Sequence, residues 1–159
     1  KDLEISIVGL KYFNVYGPKE FFKNKTASMI VQFGHQILKG QTPKLFEGSD
    51  KILRDFIYIE DVVQANIKAC NPKKSGIYNV GTGKARSFED IVNILQKELE
   101  IDNGKEYIPN PFVGQYQFFT QANIDSAKEY LFFEPKFSLE DGIKAYLSEI
   151  KRLFKEEVK

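Results

Sequence analysis

The chain has 159 residues, of which 42% are hydrophobic and 28% are charged, and its formal net charge is +1. This composition predicts one globular domain with a real core, and the near-neutral charge gives no general attraction to nucleic acid or to a membrane. A single cysteine, Cys70, and a single histidine, His35, exclude a disulfide framework within the chain and argue against a zinc site.

The start of the chain shows no export signal, and no apolar stretch approaches the roughly 20 residues that span a bilayer. We therefore expect a cytoplasmic protein with no metal ligands and no membrane or nucleic-acid partner.

The first predicted element is a strand from Leu3 to Leu10. Its apolar and β-branched residues alternate little with polar ones, which is typical of a strand covered on both faces in an α/β sheet. Asn14 and the turn Gly17-Pro18 follow it, and ligands of such sheets lie beyond the strand ends. A ligand-binding loop and a plain strand-turn unit both fit this pattern. Because a parallel strand needs neighbours, we also expect the chain to be a fragment.

The middle of the chain is predicted to alternate helices and strands. A helix begins near Thr26 or Ser28 and ends near Leu38, with His35 on its solvent side. Two strands, at 43–46 and 52–59, flank a Glu-Gly-Ser bend. The bend predicts either a ligand-binding turn or an ordinary hairpin turn.

A second predicted helix begins at Glu60-Asp61 and stops before Pro72. Asp61 is interpreted as its N-terminal cap or dipole partner, with a direct binding role as the alternative. The apolar side of this helix is expected to contain Val63, Ile67 and Cys70.

The last third of the chain contains a strand, two helices and a long loop. The strand at 76–80 ends in Gly81-Thr-Gly83, which is weak evidence for a phosphate loop because the third glycine of the fingerprint is missing. Ser87 and Asp90 are predicted to form a capping pair. The segment 103–120 is expected to be a loop, and a final helix from Ser138 carries a stripe that must pack on a core. That stripe consists of Leu139, Ile143, Tyr146, Ile150 and Leu153.

Five motifs together resemble the extended short-chain dehydrogenase/reductase family of nucleotide-sugar enzymes. They are Tyr-Phe-Asn-Val-Tyr-Gly-Pro at 12–18, Pro-Lys-Leu-Phe-Glu-Gly-Ser at 43–49, Arg-Asp-Phe-Ile-Tyr-Ile-Glu-Asp-Val at 54–62, Tyr-Asn-Val-Gly-Thr-Gly at 78–83 and Gln-Tyr-Gln-Phe-Phe-Thr at 115–120. The second and the fifth resemble the branch of the family that acts on ADP-heptose.

The resemblance implies an α/β fold made of the carboxyl-terminal part of such an enzyme. Residues 1–16 and about 53–83 would be the last strands and a helix of a Rossmann-type parallel sheet that binds the cofactor. Residues of about 17–52 and 84–159 would form a small mixed α/β substrate-binding domain. The sequence contains no Tyr-x-x-x-Lys pair and no complete glycine fingerprint. We therefore expect the amino-terminal dinucleotide-binding half to be absent.

The activity that the resemblance implies is epimerisation at C6 of ADP-D-glycero-D-manno-heptose, by transient oxidation and re-reduction with tightly bound NADP. NAD is a possible replacement for NADP. The partners implied are the nucleotide sugar and further copies of the chain, in a homo-oligomer for which a pentamer is one expectation. The fragment alone is expected to be inactive.

The resemblance also implies roles for individual residues. Lys23 would be a catalytic acid/base, and Val15 and Lys23 would contact the cofactor. Lys25 and Gln32 stand where relatives have serine and histidine. The substrate contacts implied are Asn14, Lys25, Gln32, Phe46, Glu47, Gly48, Ser49, Arg54 and Tyr116.

Two alternatives stay open at this stage. The chain could belong to another NAD(P)-dependent nucleotide-sugar epimerase or to a 4,6-dehydratase. It could also be a nucleotide-sugar binding module without catalytic activity.

Overall fold

The structure is a computed structural model that describes residues 5–111 and 117–157. None of the helices in these ranges is long and apolar enough to cross a membrane. The strands are β1 Val8–Tyr12, β2 Asn14–Tyr16, β3 Lys44–Phe46, β4 Leu53–Tyr58, β5 Gly76–Val80, β6 Ala85–Ser87 and β7 Glu106–Ile108. The α-helices are α1 Met29–Leu38, α2 Ile59–Ala69, α3 Phe88–Leu99, α4 Asp125–Leu131 and α5 Leu139–Glu157, and Phe21–Thr26 and Ser49–Lys51 are 3₁₀ helices.

The strands within the described ranges pair mostly in parallel. β1 pairs with β5, β2 with β4, and β3 with β7, all in parallel, whereas β6 runs antiparallel to β4. Only Phe13 separates β1 from β2, and its N–H donates to the Val80 carbonyl at 3.0 Å. The predicted α/β class with parallel pairing is therefore confirmed. The predicted strand 43–46 and β4 are not a hairpin, because each pairs with a different partner.

The larger core cluster lies between α1, α3, α5 and β4. All five residues of the predicted α5 stripe are buried in it, which confirms that prediction. Burial of each large aliphatic side chain contributes about 1.5–3 kcal/mol. Gly34 of α1 allows α5 to approach closely, since a Cβ on it would lie 2.8 Å from Cγ2 of Ile150. α5 therefore holds the helical layer together.

The apolar side of α2 differs from the prediction. Val63 and Ile67 are 48% and 59% exposed, and Cys70 is exposed at the end of the helix. Val62 and Ala65 are buried instead, in the second cluster of the core. The sequence suggested the wrong stripe because apolar residues occur on both sides of this helix, and only the strands decide which side packs.

Two polar residues also take other roles than predicted. The ring of His35 packs against Phe154 at 6.0 Å between ring centroids, and the residue is half-buried instead of solvated. Asp61 lies in the first turn of α2, where a dipole partner is expected, but it is not the cap. Its buried carboxylate accepts hydrogen bonds from the Lys136 and Phe137 N–H groups at 2.9 and 3.0 Å. Asp61 thus ties α2 to the segment that leads into α5.

The capping pair before α3 is confirmed. Ser87 Oγ accepts from the Asp90 N–H at 3.0 Å, and the Asp90 carboxylate accepts from the Ser87 N–H at 3.0 Å. The short strands β6 and β7 and the helix α4 were not predicted. A strand of three residues is too short to show a period, and β7 forms only because β3 supplies its partner.

An ion pair joins β6 to the start of α5. Arg86 Nη2 and Nη1 donate to Glu140 at 2.8 and 3.2 Å. The hydrogen bond from Arg86 outweighs partial burial and lowers the pKa of Glu140 below its ordinary value. This contribution to stability is therefore present above the ordinary carboxyl pKa of about 4.3 and is lost as the pH falls.

We expect Glu140→Gln to reduce the free energy of unfolding by about 0.2–1 kcal/mol at pH 7, because the pair is half-exposed. The difference from the unmodified chain should shrink as the pH falls below the ordinary carboxyl pKa, because the lowered pKa of Glu140 makes the folded state bind its proton only at a lower pH than the unfolded state does. Urea unfolding at a series of pH values measures this difference in the free energy of unfolding. Glu134→Gln, at an exposed carboxylate, is the control and should show no such pH-dependent difference.

Candidate functional site

A cleft of about 570 Å³ opens where β1 ends and where β2 and β4 begin. It brings together Asn14 and Arg54, two of the residues predicted to contact substrate. The cleft is lined by Lys11, Tyr12, Phe13, Asn14, Arg54, Gln117, Phe119, Thr120 and Gln121.

Strand pairing places Asn14 in this cleft. Asn14 begins β2 and lies opposite Phe56 of β4, and its Nδ2 donates to the Asp55 carbonyl at 3.1 Å. The residue is exposed on the cleft side. Its side-chain amide is thus oriented by the neighbouring strand and still has an acceptor oxygen for a ligand hydroxyl.

Arg54 is held by backbone carbonyls. It is only 9% exposed, its Nη1 donates to the Leu53 carbonyl at 2.9 Å, and its Nη2 donates to the Gln117 carbonyl. These carbonyls orient the guanidinium at the edge of the cleft. A fixed, largely buried cation beside an open cleft is suited to bind an anionic group such as a phosphate.

Asp55, the next residue on β4, builds the wall of the cleft from the opposite face of the strand. Its fully buried carboxylate accepts from the Thr82 N–H at 2.8 Å, the Thr82 Oγ1 at 2.6 Å, the Gly83 N–H at 2.9 Å and the Ala122 N–H at 3.0 Å. Gly81 permits this approach, since a Cβ there would lie 2.8 Å from Asp55 Oδ2. Asp55 therefore joins β4, the turn after β5 and the segment that lines the cleft.

A second, apolar pocket of about 130 Å³ lies at the end of β3. Phe46 and Ser49 both line it, and Ser49 Oγ is buried with no hydrogen-bond partner among the described residues. Gly48 has a φ of 76°, which only glycine adopts easily, and this turn brings Ser49 back toward Phe46. The remaining lining residues are Met29, Phe33, Lys44, Leu45, Ile52 and Phe88.

The turn that connects the pocket to the cleft is fixed by its backbone. The Glu47 N–H donates to the Ile108 carbonyl at 2.9 Å, and the Lys51 N–H donates to the Gly48 carbonyl at 2.9 Å. The 3₁₀ helix Ser49–Lys51 then leads directly into β4 and Arg54. One continuous segment thus carries both the pocket, which can hold a flat apolar group, and Arg54, which can bind an anionic group.

The predicted residues on the amino-terminal side of α1 lie outside both pockets. Lys23 is exposed on the 3₁₀ helix Phe21–Thr26, and Thr26 Oγ1 donates to its carbonyl at 2.7 Å. Gln32 Nε2 donates to the Ala27 carbonyl at 2.7 Å. The side chain of Lys25 and the whole of Tyr116 lie outside the part of the chain that the structure describes.

Val15 lies in the middle of β2. It is half-buried, faces Ile57 of β4 in the parallel register and packs against the second core cluster.

Sequence reasoning missed three contributors to the site: Gln117, Thr120 and Asp55. The first two belong to a motif that was noted for its resemblance, but only its tyrosine was selected. Asp55 follows Arg54 directly, and an acidic residue inside a strongly apolar strand is a signal for a buried, hydrogen-bonded carboxylate.

Comparison with known proteins places the chain in a family. Residues 1–81 match the sequence profile described as "NAD dependent epimerase/dehydratase family". The chain belongs to this family. Its parallel strand pairs agree with that assignment.

Individual members of the NAD dependent epimerase/dehydratase family are closely similar. ADP-L-glycero-D-manno-heptose-6-epimerase of Brachyspira hyodysenteriae is 44% identical over 88% of this chain and 45% of its own length. The crystal structure of the Helicobacter pylori enzyme of that name has 48% identity and a TM-score of 0.80, over 92% of this chain and 45% of that chain. The predicted resemblance to ADP-heptose 6-epimerases is confirmed.

The family likeness extends to enzymes of other sugars. A UDP-glucuronic acid 4-epimerase of Bacillus cereus, in complex with UDP-4-deoxy-4-fluoro-glucuronic acid and NAD, has 30% identity and a TM-score of 0.80. The match covers 46% of the length of that enzyme and 94% of this chain. The chain thus spans about half the length of the relatives that it matches.

Proposed function

We propose that this chain is the substrate-binding part of an ADP-heptose 6-epimerase. The complete enzyme would interconvert ADP-D-glycero-D-manno-heptose and its L-glycero epimer. One observation carries the proposal: Asn14 and Arg54 share a cleft next to the apolar pocket of Phe46, in a chain 44% identical to an enzyme of that name. The sequence-based domain boundaries, near residues 16, 53 and 83, are part of the proposal.

Each part of the nucleotide sugar has a matching feature. The guanidinium of Arg54 binds the diphosphate, because a planar, charged donor fits phosphate oxygens. The pocket of Phe46 and Ser49 takes the flat base, with the Ser49 hydroxyl as a polar contact. Glu47 and Gly48 place backbone groups near the ribose, and Asn14 binds a sugar hydroxyl. Lys25, Gln32 and Tyr116 complete the proposed substrate contacts.

Lys23 supplies the acid/base chemistry in this proposal. Epimerisation by transient oxidation removes a proton from the C6 hydroxyl while C6 loses a hydride and becomes a keto carbon. A hydride then returns to the opposite face of that carbon, and a proton returns to the oxygen. Because the reaction uses both faces of C6, it favours two acid/base groups, and Lys23 is the one on this chain. The nicotinamide cofactor, proposed as NADP, would supply the hydride chemistry at C6 when bound. Val15 and Lys23 would hold its nicotinamide end.

Two further features of the intact protein follow from the same likeness. We propose a homo-oligomer, with five subunits as the expected number, in the cytoplasm. We also propose that activity requires a polypeptide segment that supplies the glycine-rich cofactor cradle. The exposed Ile7 and Ile77, at 74% and 81%, lie on one face of the β1–β5 sheet where such a segment can pack.

Replacement of Arg54 tests the proposal. Loss of a charge-assisted contact of about 1.5–3 kcal/mol predicts 10- to 150-fold weaker binding of ADP-heptose to Arg54→Met. Isothermal titration calorimetry measures it. Arg152→Met, at an exposed ion pair on α5, is the matched control and should bind as the unmodified chain does.

The same titration separates the alternatives. Tighter binding of UDP-hexose or dTDP-hexose than of ADP-heptose would favour another epimerase or a 4,6-dehydratase, whose likeness the UDP-sugar enzyme supports. Binding without turnover, even with the cofactor-binding half present, would favour a non-catalytic module. Unchanged affinity in Arg54→Met would contradict the proposed site.

A further inference from the structure

Glu20 is a buried carboxylate in a lysine-rich surface loop. Its side chain is only 4% exposed. It accepts hydrogen bonds from the Ser28 N–H at 2.8 Å, from Ser28 Oγ at 2.6 Å and from the Gly17 N–H at 3.5 Å. A single side chain thus joins the two ends of the segment 17–28, which connects β2 to α1.

The start of α1 depends on this carboxylate. Ser28 is the N-cap residue, but its side chain makes no capping hydrogen bond, and the first turn contains no acidic residue. The Ser28 hydroxyl donates to Glu20 instead. Glu20 therefore provides the negative charge that stabilises the N-terminus of a helix, from a position eight residues earlier in the chain.

The same residue fixes the backbone at Lys23. The Lys23 N–H donates to the Glu20 carbonyl at 3.0 Å, and Thr26 Oγ1 donates to the Lys23 carbonyl at 2.7 Å. From the core side, Tyr146 of α5 lies against the loop, and its burial together with the nearby Glu20 carboxylate raises its pKa. The loop is thus attached to the core through Glu20, while the Lys23 side chain stays exposed.

We propose that Glu20 is the positioning residue for Lys23. By holding both ends of the loop, it fixes the 3₁₀ helix so that the Lys23 ammonium is presented at a defined place beyond β2. A general acid/base must lie within hydrogen-bond reach of the proton that it transfers. If the loop were free to move, the enzyme would therefore lose catalytic rate but keep its affinity for the substrate. This inference rests on the proposed role of Lys23.

Amide hydrogen exchange tests the anchoring directly on this chain. In Glu20→Gln, the remaining acceptor oxygen cannot satisfy all three donors, and the amide of Ser28 should exchange at least 10-fold faster than in the unmodified chain. The amide of Lys23 keeps its backbone acceptor, and its exchange should also rise at least 10-fold because the 3₁₀ helix loses its anchor. Glu20→Ala should show a larger increase. Glu134→Gln, at an exposed carboxylate, is the matched control. Unchanged exchange at both amides in Glu20→Gln would overturn the inference.

Kinetics of the cofactor-bound enzyme test the positioning. Glu20→Gln should lower kcat by 10- to 100-fold and change KM by less than 2-fold. In a Lys23→Met background, the same change should have no further effect on kcat, because the two residues act through one group. An equal loss in both backgrounds, or a loss confined to KM, would overturn the inference.

Failure of the proposed function gives a different result. If Lys23→Met retains the full rate for both epimers, Lys23 is not the acid/base and the positioning claim fails with it. The exchange data would then still report whether Glu20 anchors the loop. If Lys23→Met is inactive and Glu20→Gln is fully active, the proposed function stands and only the inference on Glu20 fails.

Discussion

Lys23→Met is expected to lower kcat by about 10²- to 10⁴-fold, the usual range for loss of a general acid/base. The loss should be larger for one C6 epimer than for the other. Methionine keeps the length of the side chain and removes the transferable proton, and Lys23 is proposed to serve only one face of the reacting carbon. Rates of conversion measured separately from each pure epimer, in the cofactor-bound enzyme, give the comparison.

The matched control for this prediction is Lys19→Met. Lys19 is exposed in the same loop and has no proposed part in the chemistry. Its replacement should leave both rates within about 2-fold of the unmodified enzyme. Near-normal and equal rates for the two epimers in Lys23→Met would contradict the role of Lys23.

Asp55→Ala is expected to lower the free energy of unfolding by about 3–5 kcal/mol. The substitution leaves the buried N–H group of Ala122 and the partly buried N–H groups of Thr82 and Gly83 without their acceptor. A fully buried unsatisfied group costs about 1–3 kcal/mol, and the partly buried groups cost less because water can reach them. Because a domain of this size is stable by about 5–15 kcal/mol, a large part of the stability is at risk. Urea denaturation followed by circular dichroism measures the change.

Two variants make the Asp55 result interpretable. Asp55→Asn keeps one acceptor oxygen and should lose less stability than Asp55→Ala. Asp50→Ala removes an exposed carboxylate and should change stability by less than about 0.5 kcal/mol. A loss below about 1 kcal/mol in Asp55→Ala would show that the three segments do not depend on this carboxylate.

The fold was predictable where elements are long and their pattern has one interpretation. The α5 stripe from Leu139 to Leu153 and the capping pair of Ser87 and Asp90 follow from local rules of spacing. The buried side of α2 did not, since Val63 and Ile67 fit a helical stripe as well as Val62 and Ala65 do. Strands of three residues, such as β7, depend on a distant partner and leave no local pattern.

The site was predictable through motifs more than through chemistry. Asn14 and Arg54 were chosen by resemblance, and the structure places them in one cleft. Glu20 was missed because its partners, Gly17 and Ser28, fit no standard capping spacing, and Asp55 because its partners lie 27 to 67 residues further along the chain. A carboxylate that accepts from N–H groups at positions 82, 83 and 122 has no sequence spacing that reveals it. Such residues become visible only when tertiary contacts are known.

The pocket of Phe46 and the cleft of Arg54 are built on separate pieces of sheet. β3 pairs only with β7 within the described ranges, whereas Arg54 belongs to the sheet of β2, β4 and β6. The strand pair that carries Phe46 can therefore vary in sequence without shifting the strands that carry Asn14 and Arg54. The Helicobacter pylori and Bacillus cereus enzymes, which are named for different nucleotide sugars, each match this chain with a TM-score of 0.80.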